Sequence, residues 1–106
     1  MKIIPVDTSA ALITLCSLRR EVVAPWGEVA TDSATGAALF RAELIFIHHD
    51  QADVISVTVP EIGLGRGLTS GSIVTVADLT ATLTDGCTAR HSYRELTFRA
   101  SRVSAT

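Results

Sequence analysis

At 106 residues and a net charge of −2, the chain is long enough for one hydrophobic core and too short to carry a cofactor domain beside it. Apolar residues make up 47% and charged residues 19%, which excludes a disordered tail, and the mild acidity excludes a protein that holds nucleic acid through its overall charge. A single domain over residues 1–106 is expected, with any polyanion site confined to a local patch.

The first nine residues read as a lead, extended at Pro5 and turned by Asp7-Thr8-Ser9. Residues 11–24 are the first strand candidate, with Leu12, Thr14, Cys16, Leu18, Arg20 and Val22 on one side and Ile13, Leu15, Ser17, Arg19, Glu21 and Val23 on the other. A helix over residues 9–20 competes on Ala and Leu content, but the β-branched residues and Pro25 favour the strand. Pro25-Trp26-Gly27 ends this run, and residues 31–36, TDSATG, are a turn cluster.

Residues 39–49 are the clearest central strand, with Phe40, Ala42, Leu44 and Phe46 on its apolar face and Arg41 and Glu43 on its wet one. A polar turn over residues 50–53 leads into residues 54–59, so the two runs form a hairpin that Pro60 stops. Residues 61–72 carry four glycines, each costing a helix about 1 kcal/mol, and are expected to be a loop or a single turn.

A second hairpin follows. Its first arm runs over residues 73–83, with Ile73, Thr75, Ala77, Leu79, Ala81 and Leu83 forming an apolar face; a polar loop covers residues 84–95, and residues 96–103 return. The count is five strands in an all-β chain, with a non-hairpin link between the third and fourth. That pattern predicts a five-stranded Greek-key barrel, OB-fold-like, with a long hairpin between the fourth and fifth strands; an open sandwich is the alternative.

Several chemistries are set aside. Gly63-Leu64-Gly65-Arg66-Gly67 lacks the strand before it, the helix after it and the Lys of a phosphate loop, so it reads as a crossover using glycine's freedom of φ. His48 and His49, adjacent on a strand, are expected to point to opposite faces, and Cys87 and His91 lack a second pair, so no metal and no cofactor is expected. No nucleophile elbow or paired carboxylates mark an enzyme or a small-molecule substrate. Cys16 and Cys87 are read as free thiols. Without a signal peptide or a long apolar run, no membrane is expected and the location is read as cytoplasmic.

Eight of the nine basic residues are arginine, the side chain suited to bidentate phosphate contacts and to stacking, although a GC-rich genome produces the same bias. Arg19, Arg20, Arg41, Arg90, Arg94, Arg99 and Arg102 are the candidates for a phosphate track, and Trp26 and Tyr93 for base stacking. The residues chosen for a nucleic-acid site are Arg20, Trp26, Arg41, Arg90, Tyr93, Arg94 and Arg99. Phe40, Phe46 and Phe98 are assigned to the core, and scattered surface arginine is the plainer reading of the cations.

The pieces IPVDTS, VVAP with TDSATG and Phe40, ADVISVTVP, and GLTSGSIVTVADL leading to LTFRAS resemble small regulatory proteins of actinobacterial integrative elements and conjugative plasmids. Leu68, Gly71, Val74 and Val76 ahead of a hairpin ending in TFRA are similar to the second half of single-stranded-DNA-binding OB domains. In those domains the equivalent hairpin wraps the strand; here the aromatic set is thin, and an acidic tail after Ala105-Thr106 is not expected. The resemblance implies a non-catalytic single-stranded DNA-binding protein of a mobile element; a homodimer or homotetramer is expected because avidity would multiply a weak site in each subunit. The competing expectation is a protein-interaction or regulatory β-barrel module that does not bind nucleic acid.

Overall fold

Runs of Val, Ile, Thr and Phe separated by turn residues produce strands throughout the computed structural model, which describes residues 2–23, 28–87 and 92–106. In chain order these are β1 (Lys2–Pro5), β2 (Leu12–Arg20), β3 (Val22–Val23), β4 (Glu28–Val29), β5 (Leu39–His48), β6 (Gln51–Pro60), β7 (Val74–Ala77), β8 (Thr80–Cys87), β9 (Ser92–Arg99) and β10 (Arg102–Ala105). A 3-10 turn at Glu61–Gly63 is the helical element among the described residues. Six strands form a mixed sheet in the order β1-β8-β9-β6-β5-β2, while β7 with β10 and β3 with β4 form two small sheets.

The all-β expectation holds, and the strand count changes for physical reasons. The lead pairs along β8 as β1, from Lys2 opposite Leu83 to Pro5 opposite Thr80. The two arms of the second hairpin each break in the middle. The sheet is not a closed barrel: β2 and the chain entering β7 meet through one bridge, Thr14 with Ile73, beside backbone bonds from Leu15 to Ser72 and from Gly71 to Leu15.

The β5–β6 hairpin is straight, paired from Leu39 opposite Pro60 to His48 opposite Gln51. Its turn is shorter than residues 50–53, because Gln51 and Ala52 join the ladder and leave the reversal to His49, at φ 57°, and Asp50. That left-handed turn residue also brings the rings of His48 and His49 to 4.3 Å, edge to face, where strand alternation alone placed them on opposite sides.

The second hairpin is bent. Thr80 pairs with Arg99 in β8–β9 and Ala77 with Arg102 in β7–β10, so the register continues through the corner without loss or gain of a residue. The corner is made by Asp78, at φ 54°, and by Ser101, whose N–H donates to the Ala77 carbonyl at 3.1 Å and whose hydroxyl donates to Asp78 Oδ2 at 2.6 Å. Asp78 turns the strand over: Val74 and Val76 are buried before it, Leu79 and Ala81 after it, and Ile73 is 49% exposed. The single apolar face expected over residues 73–83 is therefore two half-faces of opposite phase. The expected loop over residues 84–95 is also mostly ladder, since β8 reaches Cys87 and β9 starts at Ser92.

Gly63 packs against the outside of this corner, where a Cβ would overlap the Ser101 carbonyl oxygen. Its place in the glycine-rich crossover thus answers to close approach, whereas Gly71, at φ 92°, meets the expected conformational need. Leu15, Leu44, Val57, Val59 and Val103 are fully buried between the sheets, each contributing about 1.5–3 kcal/mol, and Phe40, Phe46 and Phe98 pack around them.

Candidate nucleic-acid interface

The outward face of the six-stranded sheet gathers arginines through a change of phase in β2. Leu15 pairs with Leu44, but the next pair is Ser17 with Glu43, so Cys16 is an extra residue in a β-bulge. Ile13 and Leu15 point inward before it; after it Leu18 points inward and Arg19 outward. The Ser70 hydroxyl donates to the Cys16 carbonyl at 2.7 Å, and the thiol itself is free and exposed.

With that shift, Arg19 pairs with Arg41, Arg41 with Thr58, Thr58 with Arg99, and Arg99 with Thr80. These residues form one rung across five strands, beside an inward rung of Leu18, Ala42, Val57, Phe98 and Ala81. Neighbouring strands lie about 4.8 Å apart, so Arg41 and Arg99, with Thr58 between them, start roughly 10 Å apart at the backbone.

Each arginine of the rung meets a carboxylate. Arg41 donates in bidentate fashion to Glu21, Nη2 to Oε1 at 2.6 Å and Nε to Oε2 at 2.9 Å. The Glu21 backbone is itself fixed, donating to the Leu39 carbonyl and accepting from the Ala30 N–H, so this pair is part of the framework. Arg19 approaches Glu43 at 3.8 Å, a loose contact between exposed groups. Arg99 Nη2 meets Asp32 Oδ1 at 2.8 Å, and Thr35 Oγ1 donates to Asp32 Oδ2 at 2.9 Å. The Thr35 hydroxyl, with smaller contributions from the Ala34 N–H and the Arg99 guanidinium, holds the Asp32 carboxyl below the ordinary carboxylate range against the opposing effect of burial.

Of the seven residues chosen from sequence, Arg41 and Arg99 share the rung. Arg20 does not: it pairs with Phe40 on the other face, its guanidinium 5.9 Å from the ring centroid. Trp26 and Arg90 lie outside the described residues, as do the side chains of Tyr93 and Arg94, although β9 sets Tyr93 opposite Gly86 and Arg94 opposite Asp85. Arg19 takes the place given to Arg20, and the signal for it was the three-residue step from Leu15 to Leu18 where regular alternation has two. Glu21, Glu43 and Asp32 were not singled out as partners of the track.

Beyond the rung, no group of three His, Cys, Asp or Glu residues is placed to hold a metal ion among the described residues. No helix among them is long and apolar enough to cross a membrane, which says nothing of crossing by strands. The chain matches no known family model, no curated protein and no solved structure.

Proposed function

We propose that the protein binds single-stranded DNA without catalysis, as a component of the replication, transfer or regulation of a mobile element. The observation that carries this reading is the in-register rung of Arg19, Arg41, Thr58, Arg99 and Thr80, which offers three cations and two hydroxyls in a line across the strands. Arg20, Arg90 and Arg94 would add phosphate contacts from outside the rung, and Trp26 and Tyr93 would stack on bases. An OB-like Greek-key barrel fits the connectivity: β6 runs parallel to β9, β2 neighbours β5, and the chain entering β7 returns to β2 at Thr14. A homodimer or homotetramer would multiply a weak site, and Leu12, Ile47 and Val54, exposed on the same outward face, would lie between copies.

Fluorescence anisotropy of labelled oligothymidine and of a matched duplex, at about 50 and 200 mM salt, tests the reading. The expected result is preference for the single strand, with log affinity falling against log salt by about 0.7 per phosphate neutralised, and a shallower slope in the Arg19→Ala/Arg99→Ala double variant. Absent or salt-independent binding would overturn it.

The carboxylates on the rung favour a second reading, a protein-interaction or regulatory module of the same fold, because each of the three arginines is already partnered and the net charge is −2. Tyr93→Ala with Arg94→Ala separates the two: it abolishes DNA binding under the first and leaves capture of a partner by a strand edge intact under the second.

A further inference from the structure

The three carboxylates on the rung are not equivalent, and their differences assign one of them a role. Glu21 sits between strands with its backbone in the hydrogen-bond network, and its grip on Arg41 uses both oxygens. Glu43 belongs to β5 itself and reaches Arg19 only at 3.8 Å. Asp32 belongs to the turn between the bridge partners Thr31 and Ala38, and contacts a residue 67 positions away in sequence.

The turn holds Asp32 firmly. Its N–H donates to the Ala37 carbonyl at 2.7 Å, its carbonyl accepts from Gly36 N–H at 2.8 Å, and Thr35 takes one carboxylate oxygen. The other oxygen is aimed at Arg99. The Asp32 side chain is 13% exposed and that of Arg99 50%, so the arginine reaches out of the sheet to a carboxylate tucked under the loop. The bond between them is not part of any ladder, and breaking it leaves the strand pairing of Arg99 with Thr80 and Thr58 unchanged.

We propose that Asp32 is an internal competitor for the anion at Arg99, a carboxylate that a backbone phosphate must displace before the rung is complete. This inference rests on the nucleic-acid reading above. Arg41 stays committed to Glu21 and Arg19 is nearly free, so Arg99 is the position where occupancy by protein and by ligand exclude each other. A lone small anion offers Arg99 only what Asp32 already supplies, whereas a strand already held at Arg19 presents its further phosphates at high effective concentration. The contact therefore favours polyanions over single phosphates.

The test uses Asp32→Asn, whose amide oxygen retains the Thr35 contact while the charge is lost, and labelled oligothymidine from about 50 to 200 mM salt. Removing the charge of this competitor, whose arginine partner is half exposed, should tighten binding by about two- to five-fold and steepen the salt slope by about 0.7. Adding Arg99→Ala should erase that gain, and Asp50→Asn, the same charge change at the far hairpin turn, should give less of it. If the wild type binds and Asp32→Asn equals it, the competitor role fails while the DNA reading stands. A gain that survives Arg99→Ala, or that Asp50→Asn matches, reflects net charge and also overturns the proposal. If no variant binds oligothymidine, both inferences fall.

Discussion

The straight hairpin of β5 and β6 and the bent hairpin that runs through β7, β8, β9 and β10 are built from similar residues but obey different rules. In the first, ten consecutive pairs keep one phase, so Phe40, Ala42, Leu44 and Phe46 all face the core and Arg41 and Glu43 face out. In the second, the ladder is interrupted at the corner and its register carries through, yet the inward phase reverses at Asp78 and Ser101. Register and facing are thus separable properties of a β-ladder: hydrogen bonding sets the first, and backbone rotation at a corner resets the second. The Arg41–Thr58–Arg99 rung crosses from one hairpin to the other, so the candidate site depends on both.

The straight hairpin is most vulnerable at its centre. Leu44 is fully buried, and Leu44→Ala should cost about 2–5 kcal/mol in a denaturant titration, lowering the midpoint for the whole chain. A loss below 1 kcal/mol would mean that the β5–β6 hairpin does not anchor the core. Gly63→Ala acts on the bent hairpin instead, pressing a methyl group into the Ser101 carbonyl for about 1–3 kcal/mol. Hydrogen exchange should then show amide protection falling further at Ala100–Val103 than at Ala42–Leu44; equal losses would show that the corner does not open by itself.

The smallest effect is expected where the loop ahead of β5 meets Arg99 of β9. The Asp32 carboxyl titrates below its unfolded value, so its contribution to stability is fully present above the ordinary aspartate range, near pH 4, and disappears as pH falls through the lowered folded value. An NMR titration of Asp32 should place its midpoint below the ordinary aspartate value, with Thr35→Val moving it upward more than Arg99→Ala does, since the Thr35 hydroxyl is the largest cause of the shift. The reverse order would make Arg99 the dominant partner.

What could be read from sequence follows the same division. The β5–β6 hairpin was legible because uninterrupted alternation reports facing directly. The pairing of the second hairpin was legible too, since Val- and Thr-rich arms flank a polar stretch, although that stretch was expected to be loop over residues 84–95 and is mostly ladder. Its facing was not, because Asp78 carries no sign that distinguishes a left-handed corner from an ordinary outward residue. Arg19 and Arg20 were exchanged for the same reason: one bulged residue, Cys16, transposes every side chain after it. The carboxylates that meet the arginines were hidden more deeply, because Asp32 and Arg99 are brought together only by the finished fold.

The bulge at Cys16 also bears on how two copies of the chain can associate. A flat outer strand exposes a regular row of amides and carbonyls that can template addition of another chain, the usual start of fibrillar growth. In β2 that row is broken at Cys16, and the Cys16 and Leu15 carbonyls are taken by Ser70 and Gly71 of the same molecule. Lateral zippering of another chain along β2 is therefore penalised at its midpoint.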